Sequence, residues 1–125
     1  MTTATTIPLA FPDDVEVGVV SHNGRPTLPQ LLSCLGASGA APDRIFIYDV
    51  GSTDDTVSWL ASEWPGVTVR SLDGNVGPDP GRNWALKACT RPYLLLLDAD
   101  AFLEPDAPRY LREALDPAAR VGTVT

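Results

Sequence analysis

In Tyr93-Leu94-Leu95-Leu96-Leu97-Asp98-Ala99-Asp100, an unbroken apolar run ends in two acids. Pro92 punctuates the chain just before it. A short apolar run bounded in this way reads as a strand buried on both faces, as in parallel sheets covered by helices. The acids then stand at the strand's carboxyl end, where open α/β sheets bind their ligands.

The pattern repeats on both sides of this strand. Val15 to Val20 (VEVGVV), Arg44 to Asp49 (RIFIYD) and Val67 to Leu72 read as three earlier strands. Between the first two, Leu28, Leu31, Leu32 and Leu35 share one helical face, and Gly36 and Gly39 end that helix. A second helix is expected from about Asp54, capped by Ser52 or Thr53, with Val57, Leu60, Ala61 and Trp64 buried. A third is expected from about Arg82 to Cys89. A fourth opens at Pro105-Asp106, with Tyr110, Leu111, Ala114 and Leu115 on one side. Val121 to Val124 reads as the start of a fifth strand. The alternation predicts an α/β fold, a mostly parallel Rossmann-like sheet with helices on both faces.

The 125 residues fit one domain, and 44% hydrophobic with 20% charged residues is a globular composition. Residues 1–14 are expected to be a flexible lead-in. Met1 to Ala10 is rich in Thr and lacks the basic and apolar regions of a signal peptide. Residues 15–125 form the domain, expected to be truncated at its C-terminus because a strand begins where the chain stops. No apolar run reaches the roughly 18 residues of a membrane span. The expected location is cytoplasmic. A net charge of −7 with nine scattered basic residues argues against nucleic acid as partner. It also means that an anionic phosphate ester needs a cation to screen it. Cys34 and Cys89 stand far apart beside a single His, which argues against zinc; they read as small buried thiols.

Polar residues cluster after each strand. Ser21, His22 and Asn23 follow the first, and Asp49, Gly51 and Ser52 follow the second. Asn75, Gly77, Arg82 and Asn83 follow the third, and Asp98 and Asp100 the fourth. Residues i and i+2 of an extended segment share a side, so Asp98 and Asp100 are expected to face one crevice. Two such carboxylates suit Mg²⁺ or Mn²⁺, with phosphate oxygens and waters completing the shell. The plainer alternative has Asp98 capping the strand end and Asp100 in a solvated turn. Gly51 permits a tight turn. Arg82, near a helix start, is placed to meet a phosphate or a base carbonyl. The plain alternatives are a surface Arg82 and a solvated His22.

Together these segments resemble family 2 glycosyltransferases of the GT-A fold. Ser21-His22-Asn23 looks like the family's first nucleotide-binding segment. Tyr48-Asp49-Val50-Gly51-Ser52-Thr53-Asp54 resembles its Val-Asp-Asp/Asn-Gly-Ser-x-Asp segment. Asn75-x-Gly77 with Gly81-Arg82-Asn83 resembles its Asn-x-Gly…Ala-Arg-Asn segment, and Asp98-Ala99-Asp100 its Asp-x-Asp motif. The resemblance implies a nucleoside-diphosphate-sugar donor, UDP or dTDP rather than GDP, and an acceptor such as a glycan or lipid-linked glycan. It implies that residues 21–23 contact the nucleoside and that Asp49 accepts from the base. Arg82 would hold base or diphosphate, Asp98 would approach the ribose, and Asp100 would bind the cation. Val50 and Gly81 depart from the pattern, where Asp or Asn and Ala are usual. The family's later part supplies the acceptor site and the general base, so this chain is expected to bind a donor and transfer poorly. Two rival readings are a haloacid-dehalogenase-like phosphatase, disfavoured by three preceding βα units and by Phe102, and a non-enzymatic α/β binding domain.

Overall fold

The β-branched run at the start of the domain becomes the centre of the sheet in a computed structural model that describes residues 11–72 and 78–115. Strand β1 (Val15–Ser21) is buried along its whole length. It pairs in parallel with β2 (Ile45–Val50) on one side and β4 (Tyr93–Asp98) on the other. Strand β3 (Thr68–Leu72) adds in parallel to β2, giving the order β3-β2-β1-β4. The chain therefore builds outward from β1 in one direction and returns to add β4 on the other side. The switch point lies between β1 and β4.

Register assigns the two faces. Val17, Ile45 and Leu95 lie side by side, as do Val19, Ile47 and Leu97. This face packs with α1 (Leu28–Ala37), whose Leu28, Leu31, Leu32 and Leu35 are fully buried in the same core. Each such leucine contributes about 2 kcal/mol of burial. Gly36 falls inside α1; Gly39, at φ 89°, provides the left-handed exit instead. The other face carries Glu16, Gly18, Val20 and Tyr48 and meets α3 (Pro78–Ala88). Helices cover both faces, as expected.

Helix α3 starts four residues before Arg82. Proline is at home in a first helical turn, and Asp79 favours the positive helix end there. The ring of Trp84 meets Tyr48 edge-on at 5.4 Å. The Tyr48 hydroxyl accepts from Arg70 Nη1 at 2.9 Å, and burial raises its pKa. Buried Glu16 takes the Thr90 N–H at 3.3 Å and its hydroxyl at 3.4 Å, which ties the turn after α3 back to β1.

Three helix expectations need correction. Helix α2 (Thr56–Glu63) begins two residues late, after Asp55 rather than after a Ser52 or Thr53 cap. The reason is a competing loop. The Asn23 side chain accepts the N–H groups of Thr53 and Asp54, and Asp54 accepts that of Thr56. Thr56 and Leu60 are the buried positions of this helix, while Val57 and Ala61 face solvent. In α4 (Ala107–Ala114), Tyr110 and Ala114 are exposed, and Pro108, Leu111 and Leu115 turn inward. Arg112 sets that rotation. It grips Asp14 with Nε at 3.0 Å to both carboxylate oxygens and Nη2 at 2.8 Å to one, and stacks over Tyr93.

The four leucines of β4 are half-buried rather than fully enclosed, because β4 is one of the two edge strands of the described sheet. Cys34 and Cys89 are free and also half-buried, and burial raises the Cys89 thiol's pKa. The expected fifth strand lies outside the described residues. Among the described residues, no helix is long and apolar enough to cross a membrane.

Candidate functional site

A pocket of about 460 Å³ opens at the carboxyl ends of β1 and β4, at the switch point. Its walls differ in chemistry. Val20 and Val50 supply an apolar floor from the strand ends. Arg82, Asp98 and Asp100 supply a charged wall, and His22, Asn23 and Gly24 form the rim between them. A groove of similar size along the outer edge of β4, between Leu86, Leu94, Leu111 and Leu115, has no carboxylate among its lining residues. The charged pocket is therefore the candidate site.

Asp98 and Asp100 do meet there, by a different route from strand alternation. Strand β4 ends at Asp98, and Ala99 and Asp100 form a turn closed by the Ala101 N–H on the Asp98 carbonyl at 3.0 Å. Asp98 is not solitary. Arg82 Nη2 lies 3.0 and 3.2 Å from its two oxygens, while Nη1 reaches Asp79 at 3.4 Å. The hydrogen bond to Asp98 raises the Arg82 pKa above its ordinary value, so the guanidinium stays charged. This pair is partly exposed, with side chains 38% and 54% accessible, so solvent weakens it and a competing ligand can part it.

The β1 and β2 loops are held quite differently. Asn23 sits at φ 51°, a left-handed conformation asparagine tolerates better than most residues. Its N–H donates to Ser52 Oγ at 2.8 Å, and its side-chain oxygen accepts from Thr53 N at 2.8 Å and Asp54 N at 3.2 Å. His22 Nδ1 is 2.6 Å from the Val50 carbonyl, a contact that needs a proton on Nδ1. Nε2 is then free to accept from Asn23 Nδ2 at 3.3 Å. Asp49 is 2% exposed and takes both the Ser52 N–H, at 3.2 Å, and the Ser52 hydroxyl. Asp54 accepts from the hydroxyl and N–H of Thr56, which hold its carboxyl below the usual range.

Several expected site residues thus have structural work. Asp49 and Ser52 face each other, away from the pocket wall. Ser21 is 1% exposed, and its hydroxyl lies beneath Gly24, where a Cβ would strike it. Gly51 makes the expected turn at φ 60°, with its N–H on the Leu72 carbonyl at 3.0 Å. Asn83 is exposed on α3 and does not line the pocket. Asn75 and Gly77 lie outside the described residues. Sequence reasoning missed Gly24, Val20 and Val50. Gly24 alone carried a signal, as a glycine directly after a strand-end polar run.

The cation expectation fits the donor set. Two carboxylates face one pocket, and among the described residues no cluster of three or more His, Cys, Asp or Glu side chains can hold an ion alone. Such a pair suits a hard cation that shares its shell with phosphate oxygens and water.

The architecture is that of the GT-A glycosyltransferases. Over 81% of this chain and 30% of the other, it superposes on S. aureus TarS 1–349 in complex with UDP-GlcNAc, with TM-score 0.66 and 26% identity. The mannosyltransferase PcManGT of Pyrobaculum calidifontis, in complex with GDP-Man and Mn²⁺, shares the fold at TM-score 0.63 and 24% identity, over 83% of this chain and 33% of that one. The glycosyl transferase family 2 model matches residues 16–124, and the chain belongs to that family. Among curated relatives, the succinoglycan biosynthesis protein ExoO of Rhizobium meliloti is 28% identical over 106 residues. The match covers 84% of this chain and 30% of ExoO, so the chain spans under a third of that relative's length. Family membership removes the phosphatase reading.

Proposed function

We propose that this chain binds the nucleoside-diphosphate-sugar donor of a glycosyltransferase, whose full reaction moves the sugar to an acceptor hydroxyl. The observation that carries this is the two-sided pocket. An apolar floor suits a nucleoside, and the adjoining Arg82, Asp98 and Asp100 suit a diphosphate with its cation. The family match and the UDP-GlcNAc held by TarS support a uridine nucleotide.

Asp98 and Asp100 would hold Mn²⁺ or Mg²⁺. When bound, the cation supplies positive charge to the departing diphosphate. Arg82 adds a permanent positive charge on the same wall. His22, Asn23 and Gly24 shape the rim and are held in place by the β2 loop, so little order has to be gained on binding. The buried Asp49 positions Ser52, and Ser52 positions Asn23. In this reading Asp49 acts on the nucleoside contact through the loop rather than by touching the base. An acceptor such as a glycan or lipid-linked glycan, met at a cytoplasmic site, remains part of the proposal.

Asp98 and Asp100 are the carboxylates of the described pocket wall, and this reading assigns both to the donor's diphosphate and cation. Sugar transfer by the 125-residue chain alone is therefore expected at trace level. The test is calorimetric titration of UDP, dTDP and GDP in the presence of Mn²⁺. Binding of UDP or dTDP at least several-fold tighter than GDP supports the reading. Equal affinity for all three, or none for any, contradicts it.

A further inference from the structure

The two positions at which the sequence departs from the family pattern meet in space. Gly81 lies in the first half of α3, pressed against the ends of β1 and β2. A Cβ built on it would stand 2.9 Å from Val20 Cγ1 and 3.0 Å from Val50 Cγ2. The first distance is shorter than packed carbon atoms tolerate and the second is tight enough that Val50 must give by a few tenths of an ångström, and valine has little rotamer freedom with which to retreat. The same two valines form the pocket floor, and Arg82, the next residue along, carries the guanidinium of the charged wall. One face of each valine thus seats α3 while the residue also lines the pocket.

The geometry points to Val20, Val50 and Gly81 as a coupled set that fixes the depth and the apolar character of the donor pocket. Gly81 lets α3 sit low enough for Arg82 to reach Asp98. The branched side chain of Val50 fills the space that a methyl group at position 81 would need. The apolar floor is therefore matched to glycine at 81. The floor this creates accepts the flat, uncharged face of a nucleoside and gives a phosphate nothing to bond. The inference deepens the donor-binding reading and rests on it for the identity of the ligand.

The test is a double-mutant cycle between Gly81→Ala and Val50→Ala, with a second cycle against Val20→Ala, read by thermal unfolding and by UDP titration with Mn²⁺. Helix propensity alone makes Gly81→Ala stabilising. The coupled set predicts the reverse, a Tm lower by about 5 °C and UDP binding weaker by about 10-fold. The same substitution should cost measurably less Tm and UDP affinity in the Val50→Ala background, where the Val20 contact remains, and least in the Val20→Ala background, where the closer contact is gone. Additive effects on Tm in both cycles overturn the set. Coupling in Tm with UDP affinity unaffected by Gly81→Ala overturns its role in the pocket. Coupling in Tm while no variant and not the parent chain binds UDP supports the packing of the set and rejects the nucleotide reading of the crevice.

Discussion

The two sides of the crevice are built on opposite principles. On the β1–β2 side, backbone and side-chain hydrogen bonds link His22, Asn23, Asp49, Ser52, Thr53 and Asp54 into one network around a buried carboxylate. On the β4 side, the half-exposed Arg82–Asp98 pair joins α3 to the strand end. The first side is rigid before any ligand arrives. The second is a pair of half-exposed charges that solvent weakens and a competing charged group can part. The proposed donor site would use both, one side to hold the shape and the other to respond.

The sharpest way to break that contrast is to remove its buried centre. Asp49→Ala leaves the Ser52 groups without their acceptor, and thermal or urea unfolding should show a loss of about 3 kcal/mol. A loss below about 1 kcal/mol would mean that the network is not holding the β1–β2 side. Asn23 comes next. Asn23→Ala removes the one oxygen that accepts two N–H groups and places alanine in a left-handed conformation, for an expected cost of about 2 kcal/mol. Asn23→Gly keeps the first loss and relieves the second, so it should be the milder variant by about 1 kcal/mol. Equal costs would show that the backbone conformation at this position is unimportant.

On the responsive side the effects should separate stability from binding. Arg82→Ala should leave Tm nearly unchanged, because its pair is solvent-screened, yet weaken UDP binding by about 10-fold or more. A large fall in Tm would place Arg82 with the rigid elements instead. The smallest effect concerns the far end of the sheet, where Arg112 grips Asp14. The hydrogen bond from Arg112 lowers the Asp14 pKa below 3.8, with burial opposing in part. A depressed carboxyl contributes stability that is fully present above pH 3.8 and is lost as the pH falls through the folded-state value. Wild-type protein should therefore lose more stability than Asp14→Asn on acidification below about pH 4, as read by urea midpoints. Parallel acid profiles would show that the pair contributes nothing.

What was legible in the sequence divides along the same line. The strands and the parallel sheet could be read from VEVGVV, RIFIYD and YLLLL, because short runs rich in β-branched, aromatic and other apolar residues recur between helical patterns. That Arg82, Asp98 and Asp100 line one pocket follows from their places at a strand end and in the first turns of a helix, although each also had a plainer reading. The rigid side was misread. Ser52 and Thr53 look like helix caps, but Asn23, some thirty residues away, took the backbone groups they were expected to cap. That Asp49 is buried and accepts from Ser52 is a tertiary fact that no local pattern encodes. Likewise, that Gly81 and Val50 touch follows from how low α3 sits, which depends on the whole sheet.

The most direct test of the central claim is to ask where a nucleotide lands. Backbone amide shifts of the labelled protein, recorded as UDP and Mg²⁺ are added, should move at residues 22–24, 82 and 98–100. They should stay still in the α1 core at Leu31 to Leu35, and Asp100→Ala should abolish them. Shifts centred instead on the outer groove, at Leu86, Leu111 and Leu115, or shifts that persist unchanged in Asp100→Ala, would contradict a donor site at the β1–β4 crevice.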